Sequence, residues 1–127
     1  MNPLIDPPAD DRFEVRPSLI PEAGLGVFAR VALPAGAELE VAGVLVRRDS
    51  PADRCTHFAD HHKFRVGADL LLIPVGAGGL VNHAADANLE RVEHPGRVML
   101  RTTRAVAAGE ELVFSYSESA RQRMGLA

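Results

Sequence analysis

From Phe13 onward, short apolar stretches alternate with Gly, Pro and Asp. That punctuation belongs to a chain of many short strands joined by tight turns. Strands are predicted at 13–15, 27–30, 38–41, 44–47, 64–66, 70–73, 89–92, 98–102 and 112–116. The clearest hairpin spans 89–102, where His94, Pro95, Gly96 and Arg97 separate two runs that alternate apolar with charged residues. Such alternation predicts an antiparallel pair with one face in water. Helical spacing is confined to 51–63, where Cys55, Phe58, Ala59 and His62 recur at intervals of 3, 4 and 7 with Ser50 or Asp49 as N-cap. A short second helix is predicted from Ser117 onward. The fold class is therefore mostly β, with one or two short helices.

Length and charge narrow the picture. At 127 residues the chain fits one domain with one core. Residues 1–12 read as a Pro- and Asp-rich arm, 13–116 as the domain and 117–127 as a tail. Fourteen Lys and Arg against seventeen Asp and Glu leave a net charge of −3, which disfavours nucleic acid as the main partner and suits a basic peptide. Glu38, Glu40, Glu90, Glu93, Glu110 and Glu111 are the candidate acidic contacts for it. Cys55 is the only cysteine, so an internal disulfide is excluded. The N-terminus lacks the basic, apolar pattern of a secretory leader, and no apolar run approaches the ~20 residues that cross a bilayer. Cytoplasmic residence is the expectation.

Three segments carry candidate chemistry. Gly24, Leu25, Gly26 and Val27 place two glycines at the mouth of a strand, where backbone N–H and C=O groups can approach a polar ligand closely. Gly76 to Gly79 form a flexible approach to Asn82, His83 and Asn88, which can hydrogen-bond a ligand or one another. Gly109, Glu110, Glu111 and Leu112 lead through Phe114 to Tyr116, the sole tyrosine. The punctuation around Gly109 also occurs around Gly36, in 30–39, and reads as one turn type used twice.

In this order, the three segments resemble the signature of SET-domain protein lysine methyltransferases, which runs Gly-x-Gly, Asn-His-Ser-x-x-Pro-Asn, Gly-Glu-Glu-Leu-x-Phe-Asp-Tyr. The resemblance extends from about Phe13 to Tyr116 and is nearest to small single-domain bacterial and viral members. It implies a β-clip fold in which the C-terminal strand passes beneath the Asn-His segment as a pseudoknot, an exception to the usual avoidance of threading. It implies S-adenosylmethionine as cofactor, held by the backbone of Gly24, Leu25, Gly26 and Val27 and by Asn82 and His83. It also implies Tyr116 as catalytic residue, Phe114 beside the target lysine, and a protein or peptide substrate.

Ala84, Ala87 and Ser115 depart from the family's Ser, Pro and Asp. No second tyrosine is present, so Phe58, Phe64 and Phe114 are the candidate walls of the lysine channel. Eleven residues follow Tyr116, leaving the tail or a second subunit in a homodimer to close that channel. A catalytically silent binding module is the alternative function. A metal protein built on His57, His61 and His62 is a third reading, since His57 and His61 are spaced i, i+4 on the predicted helix; no metal ligand is assigned.

Overall fold

The computed structural model describes residues 10–116. The tail, its predicted helix and all but the last three residues of the arm lie outside the described residues. In chain order the elements are β1 (Phe13–Pro17), β2 (Leu25–Ala29), β3 (Glu38–Glu40), β4 (Gly43–Arg47), α1 (Pro51–Arg54), a 3₁₀ segment (His57–His62), β5 (Phe64–Val66), β6 (Leu70–Pro74), a second 3₁₀ segment (Ala77–Leu80), β7 (Asn82–His83), β8 (Leu89–His94), β9 (Arg97–Thr102) and β10 (Glu111–Phe114). All nine predicted strands are present, with ends shifted by up to two residues. β7 is the addition.

The larger sheet has the order β1-β2-β10-β8-β9-β3, with β7 also paired to β10; the smaller has the order β4-β6-β5. β2 is buried along Gly26 to Ala29, with Val27, Phe28 and Ala29 almost without exposure. Its continuous apolar run reflects cover on both faces. On one face Val27 and Ala29 join Leu100, Leu112 and Val98 in the core. The Phe28 ring is covered by the Arg16 guanidinium, 4.0 Å from its centroid.

The predicted hairpin forms with Leu89 opposite Thr102 and His94 opposite Arg97. Its wet face is laced by ion pairs, Arg101 to Glu90 and Arg97 to Glu40, each 2.9 Å. The alternation is imperfect. Arg91 stands opposite Leu100, on the inner face, where its guanidinium lies 5.9 Å from the Phe64 ring centroid and donates to the Arg65 carbonyl.

β10 decides the topology. It pairs antiparallel with β2, Leu112 opposite Val27, and parallel with β7 and β8, Phe114 opposite both His83 and Leu89. The loop between β7 and β8 wraps it: Ala84 N–H donates to the Phe114 carbonyl at 3.3 Å and Asn88 N–H to the Val113 carbonyl at 3.2 Å. The strand is thus threaded as the resemblance implied.

Two expectations change. The helix predicted over 51–63 is one α turn capped by Ser50, a break, and a 3₁₀ segment. At the break the Thr56 hydroxyl donates to the Ala52 and Asp53 carbonyls, and Thr56 N–H bonds the Asp53 carbonyl in the i, i+3 pattern at 3.1 Å. Phe58 consequently faces solvent, 87% exposed, rather than a core. The insert is held instead by Lys63, whose ammonium is buried and donates to Asp53 at 2.8 Å and Asp60 at 2.6 Å. Burial pulls the Lys63 pKa down, but those hydrogen bonds and charges more than offset it, and the net shift is upward. The glycine-rich approach, predicted flexible, is packed: a Cβ at Gly78 would meet Val41 at 3.0 Å, and one at Gly79 would meet Pro74 at 2.6 Å. Among the described residues no helix is long and apolar enough to cross a membrane.

Candidate active site

The site forms where β10 lies between β2 and β7. Gly24 turns the chain into β2, and its carbonyl accepts from Ser18 N–H at 2.8 Å. Asn82, one strand away, donates from Nδ2 to the Leu25 carbonyl at 2.9 Å and to the Glu111 carboxylate at 3.2 Å. Gly26 makes this approach feasible: a Cβ there would stand 2.4 Å from Glu111 Oε2 and 3.1 Å from Asn82 Nδ2. Glycine is thus required by its neighbours rather than by a turn, since any larger residue would displace the carboxylate.

His83 ties the other end. Tyr116 N–H donates to His83 Nδ1 at 2.9 Å, which places the ring proton of a neutral His83 on Nε2. The Tyr116 ring lies 5.1 Å from that of His83 and 4.8 Å from that of Phe114. Its hydroxyl donates to the Val81 carbonyl at 2.7 Å. Burial pushes the Tyr116 pKa up to about 12, so the phenol stays protonated at neutral pH. Its oxygen retains lone pairs for an amine or a polarised methyl group, but it has no capacity to act as a base there.

Gly24, Leu25, Gly26, Val27, Asn82, His83, Phe114 and Tyr116 are therefore linked through three adjacent strands. Phe114 is 9% exposed and stacks on Phe64 at 6.0 Å. Phe64 and Phe114 thus form an aromatic wall beside Tyr116. Phe58, exposed on the 3₁₀ segment, is in no ring contact with them.

The acidic groups are largely engaged. Glu40 pairs with Arg97, Glu90 with Arg101 and Glu110 with Arg104. The Arg104 hydrogen bond is the main force that brings the Glu110 pKa down to about 2. Sequence reading placed Glu111 among surface charges, whereas its carboxylate accepts from Ser18 Oγ at 2.7 Å and Leu19 N–H at 3.0 Å as well as from Asn82. Asn88, 1% exposed, is a structural amide: Oδ1 accepts from Val113 N–H and Nδ2 donates to the Glu111 carbonyl, each at 2.9 Å. The histidines do not share the i, i+4 face of a helix. His57 bonds Asp60 at 2.8 Å, the i, i+3 neighbour that a 3₁₀ turn aligns. No group of three or more metal-ligating side chains occurs among the described residues.

A family model described as the SET domain matches residues 24–117, which include all three site segments. The chain belongs to the SET-domain family. Proteins of this family are generally protein lysine methyltransferases that use S-adenosylmethionine. Comparison with curated protein sequences yields no match. Among solved structures, the SET domain is similar to a humanized mutant of the Chaetomium thermophilum Polycomb Repressive Complex 2 bound to the inhibitor GSK126, with TM-score 0.73 and 21% identity over 90% of this chain. It is also similar to ctPRC2 in an autoinhibited conformation bound to S-adenosylmethionine, with TM-score 0.74 and 21% identity over 92% of this chain. The matched regions occupy only 16% and 17% of those chains. At this identity the likeness establishes the fold.

The residues present fit the cofactor. The donor set suits its polar amino-acid end: backbone groups of the Gly24 to Val27 segment lie beside Asn82, whose amide bonds the Leu25 carbonyl, and Asn82 and His83 meet β10 there. By the family pattern, the backbone of Gly24 to Val27 with Asn82 and His83 would hold S-adenosylmethionine, which supplies an electrophilic methyl group on a cationic sulfur.

Proposed function

We propose that this SET domain is a protein lysine N-methyltransferase that takes a basic protein or peptide as substrate. The observation that supports this reading is the pair of bonds joining the three segments, Asn82 to the Leu25 carbonyl and Tyr116 N–H to His83, each 2.9 Å. They bring the glycine loop and the phenol onto neighbouring strands.

Methyl transfer to lysine is an in-line displacement: the N–C bond forms as the S–C bond breaks, and sulfur leaves as a neutral thioether. The amine must first lose its proton, which goes to water, since free lysine has a pKa near ~10.4. Tyr116 orients the neutral amine through its oxygen lone pairs, with its own proton committed to the Val81 carbonyl. Phe64 and Phe114 exclude water from the approaching side chain. Catalysis on this account is mainly positioning.

A mixed peptide array with labelled cofactor tests the activity. Tyr116→Phe is expected to cut turnover by about a hundredfold or more while calorimetric affinity for S-adenosylmethionine stays within about twofold. Turnover that survives the exchange removes the role of Tyr116. A second reading, a silent binding module, is favoured by the purely hydrocarbon wall of Phe64 and Phe114 around a single hydroxyl. Cofactor binding without transfer to any peptide on the array selects it.

A further inference from the structure

Glu111 is the feature of the site that the activity leaves unexplained. Its carboxylate accepts three hydrogen bonds, from Ser18 Oγ at 2.7 Å, Leu19 N–H at 3.0 Å and Asn82 Nδ2 at 3.2 Å. All three donors are uncharged. The neighbouring Glu110 is paired with Arg104, whereas no Lys, Arg or His among the described residues forms an ion pair with Glu111. A part-buried carboxylate with no cation partner among the described residues leaves a local negative potential that water screens incompletely. It also sits within 2.4 Å of where a Cβ of Gly26 would be, at the strand that would hold the methionine end of the cofactor.

We propose that Glu111 is a positioning residue of the cofactor site, tying Ser18, Leu19 and Asn82 around Gly26, and that its uncompensated charge favours the cationic sulfonium donor over the neutral thioether product. This rests on the methyltransferase reading. Two effects follow from one group. Geometry is felt equally by donor and product, because both carry the same adenosine and amino-acid parts. Charge is felt by the donor alone, because only the donor carries a positive sulfur. The charge thus favours replacement of product by fresh donor after each transfer, without acting on the product itself.

Calorimetry on the full chain with S-adenosylmethionine and with its demethylated product separates the two effects. Glu111→Gln, which keeps size and removes charge, is expected to weaken the donor about tenfold and the product no more than about threefold. KM for the donor rises in step while kcat at saturation stays within about threefold. Glu111→Asp, which retains the charge, keeps the donor-to-product ratio within about twofold of wild type. A purely structural role weakens both ligands equally in Glu111→Gln, and that result overturns the proposal, as does unchanged binding of both. Should Glu111→Gln fail to fold by circular dichroism, the wild-type chain carries the test. An analogue with a protonated amine in place of the sulfonium then binds at least about fivefold tighter than the thioether, and equal affinities overturn the assignment. A folded wild-type chain that binds neither donor nor product instead overturns the methyltransferase reading itself.

Discussion

Segments 30–39 and 104–112 make the same turn and deliver it to different places. Gly36 and Gly109 take φ of 87° and 88°, and the turn bonds match, Ala37 N–H to the Pro34 carbonyl and Glu110 N–H to the Ala107 carbonyl. The two turns even meet, Leu33 and Val106 exchanging backbone bonds of 2.8 and 2.9 Å. The first runs into β3, an edge of the larger sheet; the second runs into β10, inside it. What anchors them also differs. Ala37 N–H donates to Thr102 Oγ1, a side chain from another strand, at 2.9 Å. In the second turn Glu110 serves itself, its Oε1 accepting from Ala107 N–H at 3.1 Å, and reaches Arg104 and Asn88 through Oε2. Local conformation is therefore common to both, and chemistry depends on where the following strand is inserted.

The largest expected effect comes from releasing the second strand. Asn88→Ala strands the buried Val113 N–H and removes the Nδ2 bonds to Glu110 and Glu111, at a cost of roughly 3 kcal/mol read from urea unfolding. Next come the matched pair Gly36→Ala and Gly109→Ala. Neither added Cβ meets an atom closer than 4.0 Å, so each costs only the left-handed backbone penalty, about 1 kcal/mol. Thermal unfolding is expected to fall alike in both, while S-adenosylmethionine affinity falls only in Gly109→Ala; equal losses of affinity would erase the distinction drawn between the turns. The smallest effect is electrostatic. Glu110 is depressed from the usual value near 4.5 to about 2, so its stabilisation is complete above about pH 4.5 and is lost as pH falls towards 2. Arg104→Ala flattens that acid limb, and the change is the smallest of these because the pair is half exposed and water screens it.

The strands and three site segments were legible because Gly, Pro and Asp interrupt apolar runs at short intervals and because the motif residues are contiguous in sequence. β7 was not, since a two-residue strand has no period and exists only by pairing with β10. The helix over 51–63 was not continuous because its apolar spacing meets no core: Phe58 is exposed and no residue of the 3₁₀ segment is buried. Glu111 was read as surface because its partner Ser18 lies 93 positions away. A doublet Gly-Glu-Glu carries no local sign that its two acids part company, one to an arginine and the other to a hydroxyl, a backbone amide and an asparagine.

The threading of β10 has a consequence for how the molecule comes into being. Its partners at 27–28, 82–83 and 89 are all synthesised before 111–114 emerges from the ribosome, so a nascent chain holds an open slot in its main sheet until β10 arrives. During that interval β2 and β8 expose apolar edges that other chains can capture. Completion of the pocket thus waits on insertion of β10, and variants that slow this insertion should be rescued by chaperones or low growth temperature more readily than variants that weaken the finished core.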